Sequence, residues 1–184
     1  MTVILRYKEY IEQNESIYLP DLPKLIDPTS SEIAAFISQL SSSSEYSNDG
    51  NDILKISKEV FKNLEKNITI VLLPIQFWQK PEETLKNKIG DELDYYALLC
   101  SIFIALGTVS SKVLIVNYAD RNVMSVYLEY NNELILFQHN TEPKHFKSKA
   151  LLLKYICGSI DEEVISYEFN DKIYRDITLP LSFS

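Results

Sequence analysis

One stretch constrains this chain more than any other. From Asp91 to Gly107 it reads Asp-Glu-Leu-Asp-Tyr-Tyr-Ala-Leu-Leu-Cys-Ser-Ile-Phe-Ile-Ala-Leu-Gly. Wound as a helix, Leu93, Tyr96, Ala97, Leu99, Cys100, Phe103, Ile104 and Leu106 leave it almost no polar face. A helix apolar on nearly every side has to be buried on nearly every side. Acids at its start suit the positive end of the helix dipole, and Gly107 suits the residue just past its end. The apolar run from Tyr95 to Leu106 is too short for a bilayer, which needs roughly 20 residues. The rest of the chain must therefore wrap around this helix.

The flanking sequence supplies the wrapping. Downstream, Lys112–Asn117, Val123–Tyr130 and Glu133–Phe137 read as strands, with Asn131-Asn132 as a two-residue hairpin turn. Lys144–Tyr155 reads as a helix ended by Gly158, and Val164–Phe169 with Lys172–Ile177 as a hairpin around Asn170-Asp171. Upstream, residues 1–26 read as an arm or short strand followed by an extended segment. Thr29-Ser30-Ser31-Glu32 is a capping box for a helix with Ile33, Phe36, Ile37 and Leu40 on one face. Ser41 to Gly50 reads as a surface loop, since such residues bond to their own backbone. Asp52 then opens a helix to Lys66, buried through Ile53, Ile56, Val60, Phe61 and Leu64. Ile68–Leu73 suits a short strand, and Pro81 starts a helix that stops at Gly90. Helices first, a buried helix in the middle and antiparallel strands after it make an α+β fold. The 184 residues suit one domain: a helical part over 1–77, a core over about 78–140, and a helix with a terminal hairpin over 144–184.

Composition removes several functions. Acids exceed bases 26 to 18, a net charge of −8, which argues against direct nucleic-acid binding and against a polybasic membrane anchor. The 4 glycines, Gly50, Gly90, Gly107 and Gly158, stand too far apart for a phosphate-cradling loop, so no cofactor is expected. Two cysteines cannot build a disulfide framework. His139 and His145 have neither a cysteine nearby nor ligand spacing, so no metal is expected. Charge follows the short apolar start at once, so no signal peptide is read and the expected compartment is the cytoplasm. Lysine far outnumbers arginine, while methionine and cysteine are scarce, a bias compatible with an archaeal or thermophilic host.

The segment from Trp78 to Asn140 resembles the transglutaminase-like superfamily, a branch of the papain-like fold. The resemblance rests on Trp78, on Pro81-Glu82-Glu83-Thr84-Leu85, and on Gly90-Asp91-Glu92-Leu93-Asp94. It continues through the apolar helix ending at Leu106-Gly107, the strand Lys112–Asn117, Ser125-Val126-Tyr127-Leu128-Glu129, and Leu134-Ile135-Leu136-Phe137-Gln138. It covers about a third of the chain and implies a central buried helix packed on an antiparallel sheet. Members carry a cysteine at the helix start, a histidine on one strand and an orienting aspartate on the next. Here the resemblance puts Glu92, Ser125 and Gln138 at those positions, with Asn140 as an alternative to Gln138. A carboxylate cannot do thioester chemistry, and serine is no general base near neutral pH. The resemblance thus implies a catalytically inactive member.

Other residues have plainer readings. Asp91, Glu92 and Asp94 suit a helix N-terminus. Cys100 lies eight residues past Glu92, roughly 12 Å along a helix, and reads as a core thiol. Cys157 reads as unpaired in a reducing compartment. Lys144, His145, Lys147, Lys149 and Lys154 place positive charge on one predicted helix, either a solvated face or a docking patch. Leu179 to Ser184 is apolar for a chain end. The expected function is a non-catalytic protein-interaction or scaffold module with a protein partner. The alternatives are an accessory factor of a DNA-repair or other nucleic-acid complex, by fold-level analogy, and a remodelled hydrolase using Glu92.

Overall fold

A six-stranded antiparallel sheet has a group of helices packed on one face and a single helix on the other, in a computed structural model of the chain. The structure describes residues 19–43, 50–72, 78–118, 121–158 and 164–178. A 3-10 turn at Leu19–Leu25 buries Leu22 and Leu25. Next come α1 (Ser31–Ser43), α2 (Gly50–Asn67), β1 (Thr69–Ile70), α3 (Pro81–Asn87), β2 (Ile89–Gly90) and α4 (Glu92–Ala105). The sheet follows with β3 (Lys112–Tyr118), β4 (Arg121–Tyr130), β5 (Glu133–Phe137) and β6 (Lys144–Phe146). Helix α5 (Lys149–Cys157) and strands β7 (Ile165–Phe169) and β8 (Tyr174–Thr178) complete it. The strand order is β6-β5-β4-β3-β7-β8, and β1 pairs with β2 in a small parallel sheet.

Strand alternation builds two cores, because successive side chains point to opposite faces. Val113, Ile115, Val126, Leu128, Ile135, Phe137 and Phe169 turn toward α4. Leu114, Val116, Tyr127 and Leu136 turn toward Leu152, Leu153 and Cys157 of α5. Both faces being covered, β3 is buried from Val113 to Val116. From Leu93 to Ile104 every residue of α4 is buried, as its composition demands.

The ends of α4 are held by local chemistry. Asp91 is its N-cap, and its carboxylate accepts from the Asp94 N–H at 2.8 Å, while the Asp94 carboxylate accepts from the Asp91 N–H at 3.0 Å. This reciprocal box satisfies two orphan donors of the first turn. At the other end Gly107 has φ +100°, and the Thr108 N–H donates to the Phe103 carbonyl and the Gly107 N–H to the Ile104 carbonyl. That pair of bonds is a Schellman motif. Asn131 and Asn132, with φ 51° and 62°, close the β4–β5 hairpin in the left-handed turn expected of them.

Several elements differ from expectation. The helix expected over 144–155 is split: Lys144–Phe146 pairs with Leu134–Leu136 as β6, and Ser148 then caps α5, its hydroxyl accepting from the Leu151 N–H. The strand expected over 68–73 is the two residues of β1, and residues 73–77 lie outside the described part. Helix α3 ends at Asn87, because Lys88 takes the left-handed cap with φ 57° and Gly90 belongs to β2. Gly90 is needed for a different reason: a Cβ there would stand 2.8 Å from the Asp94 Cβ. At the start of α1, the Ala34 N–H donates to the Ser30 carbonyl, and the Glu32 carboxylate accepts from the Ser30 and Ser31 hydroxyls. Thr29 donates instead to Asp27. The last hairpin closes through residues 170–173, with the Asn170 side chain accepting from the Lys172 and Ile173 N–H groups. Ser41 to Ser43 prolong α1, while the rest of the expected loop through Asp49, residues 1–18 and residues 179–184 lie outside the described part.

Candidate functional site

The start of α4 is where the resemblance would seat chemistry. Glu92 stands in its first turn, half-buried between Asp91 and the buried Leu93. Burial, then the Asp91 charge, raises its pKa. Asp91 is raised by burial against two backbone hydrogen bonds. Asp94 is 1% exposed and binds on both oxygens: Oδ1 accepts from the Gln79 N–H at 2.7 Å and Oδ2 from the Asp91 N–H. Burial and the neighbouring Asp91 outweigh those donors and lift its pKa to about 7. No lysine, arginine or histidine forms an ion pair with these three acids among the described residues.

The loop leaving β5 closes over this end of α4. The His139 N–H donates to the Tyr96 hydroxyl at 3.0 Å, and the Asn140 N–H donates to the Glu65 carboxylate at 2.7 Å. The His139 ring stands edge-on to Tyr95 at 5.5 Å. The residue this loop sets against the helix is thus His139, one past Gln138. The Gln138 carbonyl accepts from Thr141, and Asn140 takes a left-handed φ of 61° in the same turn. Tyr95 and Tyr96 are both fully buried, and burial first raises the pKa of each. Among the described residues the Tyr96 hydroxyl has a partner and the Tyr95 hydroxyl has none. Glu65 was not singled out from the sequence, and Tyr95 and Tyr96 were read only as part of the apolar run, although two adjacent tyrosines in such a helix were a visible sign of polar atoms needing partners.

Ser125 does not join this group. It pairs with Leu114 on β3, and that row faces α5. The β4 residues facing α4 are its neighbours Met124 and Val126. Glu92 and Ser125 therefore lie on opposite sides of the sheet. Ser125 is fully buried, and its hydroxyl has no hydrogen-bond partner among the described residues. The thiols are sealed as well: Cys100 is fully buried with its pKa well above the ordinary thiol value, chiefly by burial. Burial also raises Cys157.

The face under α5 holds a second polar group. The Tyr127 hydroxyl donates to Glu168 Oε2 at 2.6 Å, and Lys149 Nζ donates to both the Tyr127 hydroxyl and Glu168. Glu168 is 2% exposed. Burial alone would raise its pKa, but the bonds from Lys149 and Tyr127 reverse that and hold it below the ordinary value. Lys149 is therefore turned inward and leaves the expected basic patch. His145 leaves it too, since its Nδ1 lies 3.0 Å from Glu133. Lys144, Lys147 and Lys154 stay exposed.

A cleft of about 570 Å³ opens between α1, α2 and α3, floored by Phe36, Leu40, Leu64, Ile68 and Leu85. Among the described residues no three His, Cys, Asp or Glu side chains gather to hold a metal ion, and no helix is long and apolar enough to cross a membrane. No protein-family model matches the chain, and no curated protein matches it closely enough to count as a relative.

Proposed function

We propose that this chain is a non-catalytic protein-interaction module built on a transglutaminase-like plan. The carrying observation is the start of α4. Its first turn bears Glu92 where a thiolate would act, flanked by Asp91 and Asp94. Asp94 already spends both oxygens on backbone N–H groups. Ser125 faces the other layer, so it departs from the position the resemblance gave it, and the β4 residues turned toward α4, Met124 and Val126, offer Glu92 no base. Cys100 cannot stand in, because a buried thiol with a raised pKa carries almost no thiolate. The order of α4 followed by the β3–β4–β5 meander, with the β5 exit loop at the helix start, supports the plan.

The test is a turnover assay with a glutamine peptide and hydroxylamine, read as hydroxamate, alongside ammonia release from the peptide alone. The expected result is no product above buffer. Turnover that disappears in Glu92→Gln would overturn the reading in favour of a remodelled hydrolase. Turnover that disappears in Cys100→Ser would overturn it in favour of a thiol enzyme.

A further inference from the structure

Lys144 on edge strand β6 and Leu151, Lys154 and Tyr155 on the outer side of α5 make one surface, and the exposed Lys147 lies in the short connection between the two elements. Lys144 Nζ lies 4.4 Å from the centre of the Tyr155 ring, and the Phe146 ring lies 5.4 Å from it. Leu151 precedes Tyr155 by one helical turn, so the two share a face. They are 50% and 39% exposed. None of the three lysines has an ion-pair partner among the described residues. On a chain of net charge −8, such clustered and uncompensated positive charge runs against the background.

Two ordinary explanations fit poorly. A merely solvated face would carry polar neighbours, whereas this one exposes a leucine and a tyrosine. A lysine guarding an open sheet edge projects outward to block pairing. Lys144 instead folds onto Tyr155. Strand β6 has one neighbour, β5, so its outer backbone edge is open among the described residues. Open edge, unpaired cations and exposed apolar side chains are therefore contiguous.

We propose that this surface binds an extended acidic segment of a partner protein as an added strand beside β6. Main-chain bonds to β6 would supply affinity, and side chains on the added strand would supply specificity. Its carboxylates meet Lys144, Lys147 and Lys154, and its apolar side chains cover Leu151 and Tyr155. The overall negative charge repels an acidic partner everywhere else, so it steers the encounter to this patch. The proposal rests on the interaction-module reading and deepens it.

The experiment is fluorescence anisotropy with a labelled peptide, Asp-Glu-Val-Glu-Phe-Glu-Val-Asp, at low and moderate salt. Saturable binding is expected, weakening as salt rises. The combined variant K144E/K147E/K154E should bind at least about tenfold more weakly, and Leu151→Ser about fivefold. Peptide N-methylated at alternate residues, in whichever of the two phases faces β6, should lose binding. Retained binding by both N-methylated peptides, or by the triple variant with its circular dichroism unchanged, overturns the proposal. So does the absence of saturable binding, or equal binding of an oligothymidylate, which assigns the patch to a nucleic-acid backbone. Lys144, Leu151 and Lys154 lie in the layer on the far side of the sheet from α4, and Lys147 is an exposed residue of the connection to α5, so the hydroxylamine assay reports the module reading separately.

Discussion

Two carboxylates are buried to nearly the same extent, Asp94 at 1% exposure and Glu168 at 2%. They sit on opposite sides of one sheet and titrate in opposite directions. Asp94 has backbone donors and acidic neighbours but no cation among the described residues, and its pKa rises to about 7. Glu168 has a lysine and a tyrosine on one oxygen, and its pKa falls below the ordinary value. Burial pushes both upward, so the sign is set by whether a charge partner is built in. The contrast also separates the two layers. The α4 side carries negative charge that the fold tolerates, and the α5 side carries a matched pair that locks a helix to a strand.

The largest effect should come from breaking the matched pair. Lys149→Met leaves Glu168 buried without a cation, and such unpairing costs about 4 kcal/mol. Urea unfolding should show that loss, and the Glu168 pKa, read by NMR, should move upward toward the behaviour of Asp94. A loss below about 1 kcal/mol would mean that solvent at the Lys149 side chain, 30% exposed, already screens the pair.

The next effect is pH-dependent, and its sign differs between the two acids. Asp94 binds its proton more tightly folded than at the ordinary aspartate value of 3.8. Its contribution is complete below pH 4 and is lost as pH rises through about 7, on the order of 4 kcal/mol. Glu168 contributes above its unfolded pKa, and that stability is lost as pH falls through the lowered folded value. Stability should therefore decline between pH 4 and 7 in the native chain, and Asp94→Asn should flatten that decline. A slope that persists in the variant would assign the titration to Asp91 or Glu92.

These two sites differ in how far they were legible in the sequence. Helix α4 and its acidic start were legible because a capping acid, an all-apolar register and a terminal glycine are local signals, whereas the reciprocal bonding of Asp91 and Asp94 was not read from them. The strand β3 and the β4–β5 hairpin were legible through β-branched runs and the Asn131-Asn132 turn. Strand β6 was not: Lys144 to Tyr155 has helical composition throughout, and only pairing with Leu134–Leu136 pulls its first residues into the sheet. The inward turn of Lys149 follows from that split. A lysine at the first position of a helix opposes the dipole, which was the one available hint that it answers a charge elsewhere. The face of Ser125 depends on strand parity, which can be counted only once the core residues of β4 are known.

The smallest effect sharpens the comparison inside α4 itself, between neighbouring tyrosines. Both are fully buried, yet the Tyr96 hydroxyl accepts from the His139 N–H while the Tyr95 hydroxyl has no partner among the described residues. Removing a satisfied hydroxyl orphans a donor, whereas removing an unsatisfied one ends a desolvation cost. Tyr96→Phe should therefore destabilise by about 1 kcal/mol, and Tyr95→Phe should be neutral or stabilise by up to about 1 kcal/mol. Chemical denaturation of the two variants under one buffer decides it, with the ring packing of Tyr95 on His139 preserved in the phenylalanine. If Tyr95→Phe costs as much as Tyr96→Phe, its hydroxyl is bonded in solution. The polar group at the helix start would then extend one residue further into the core.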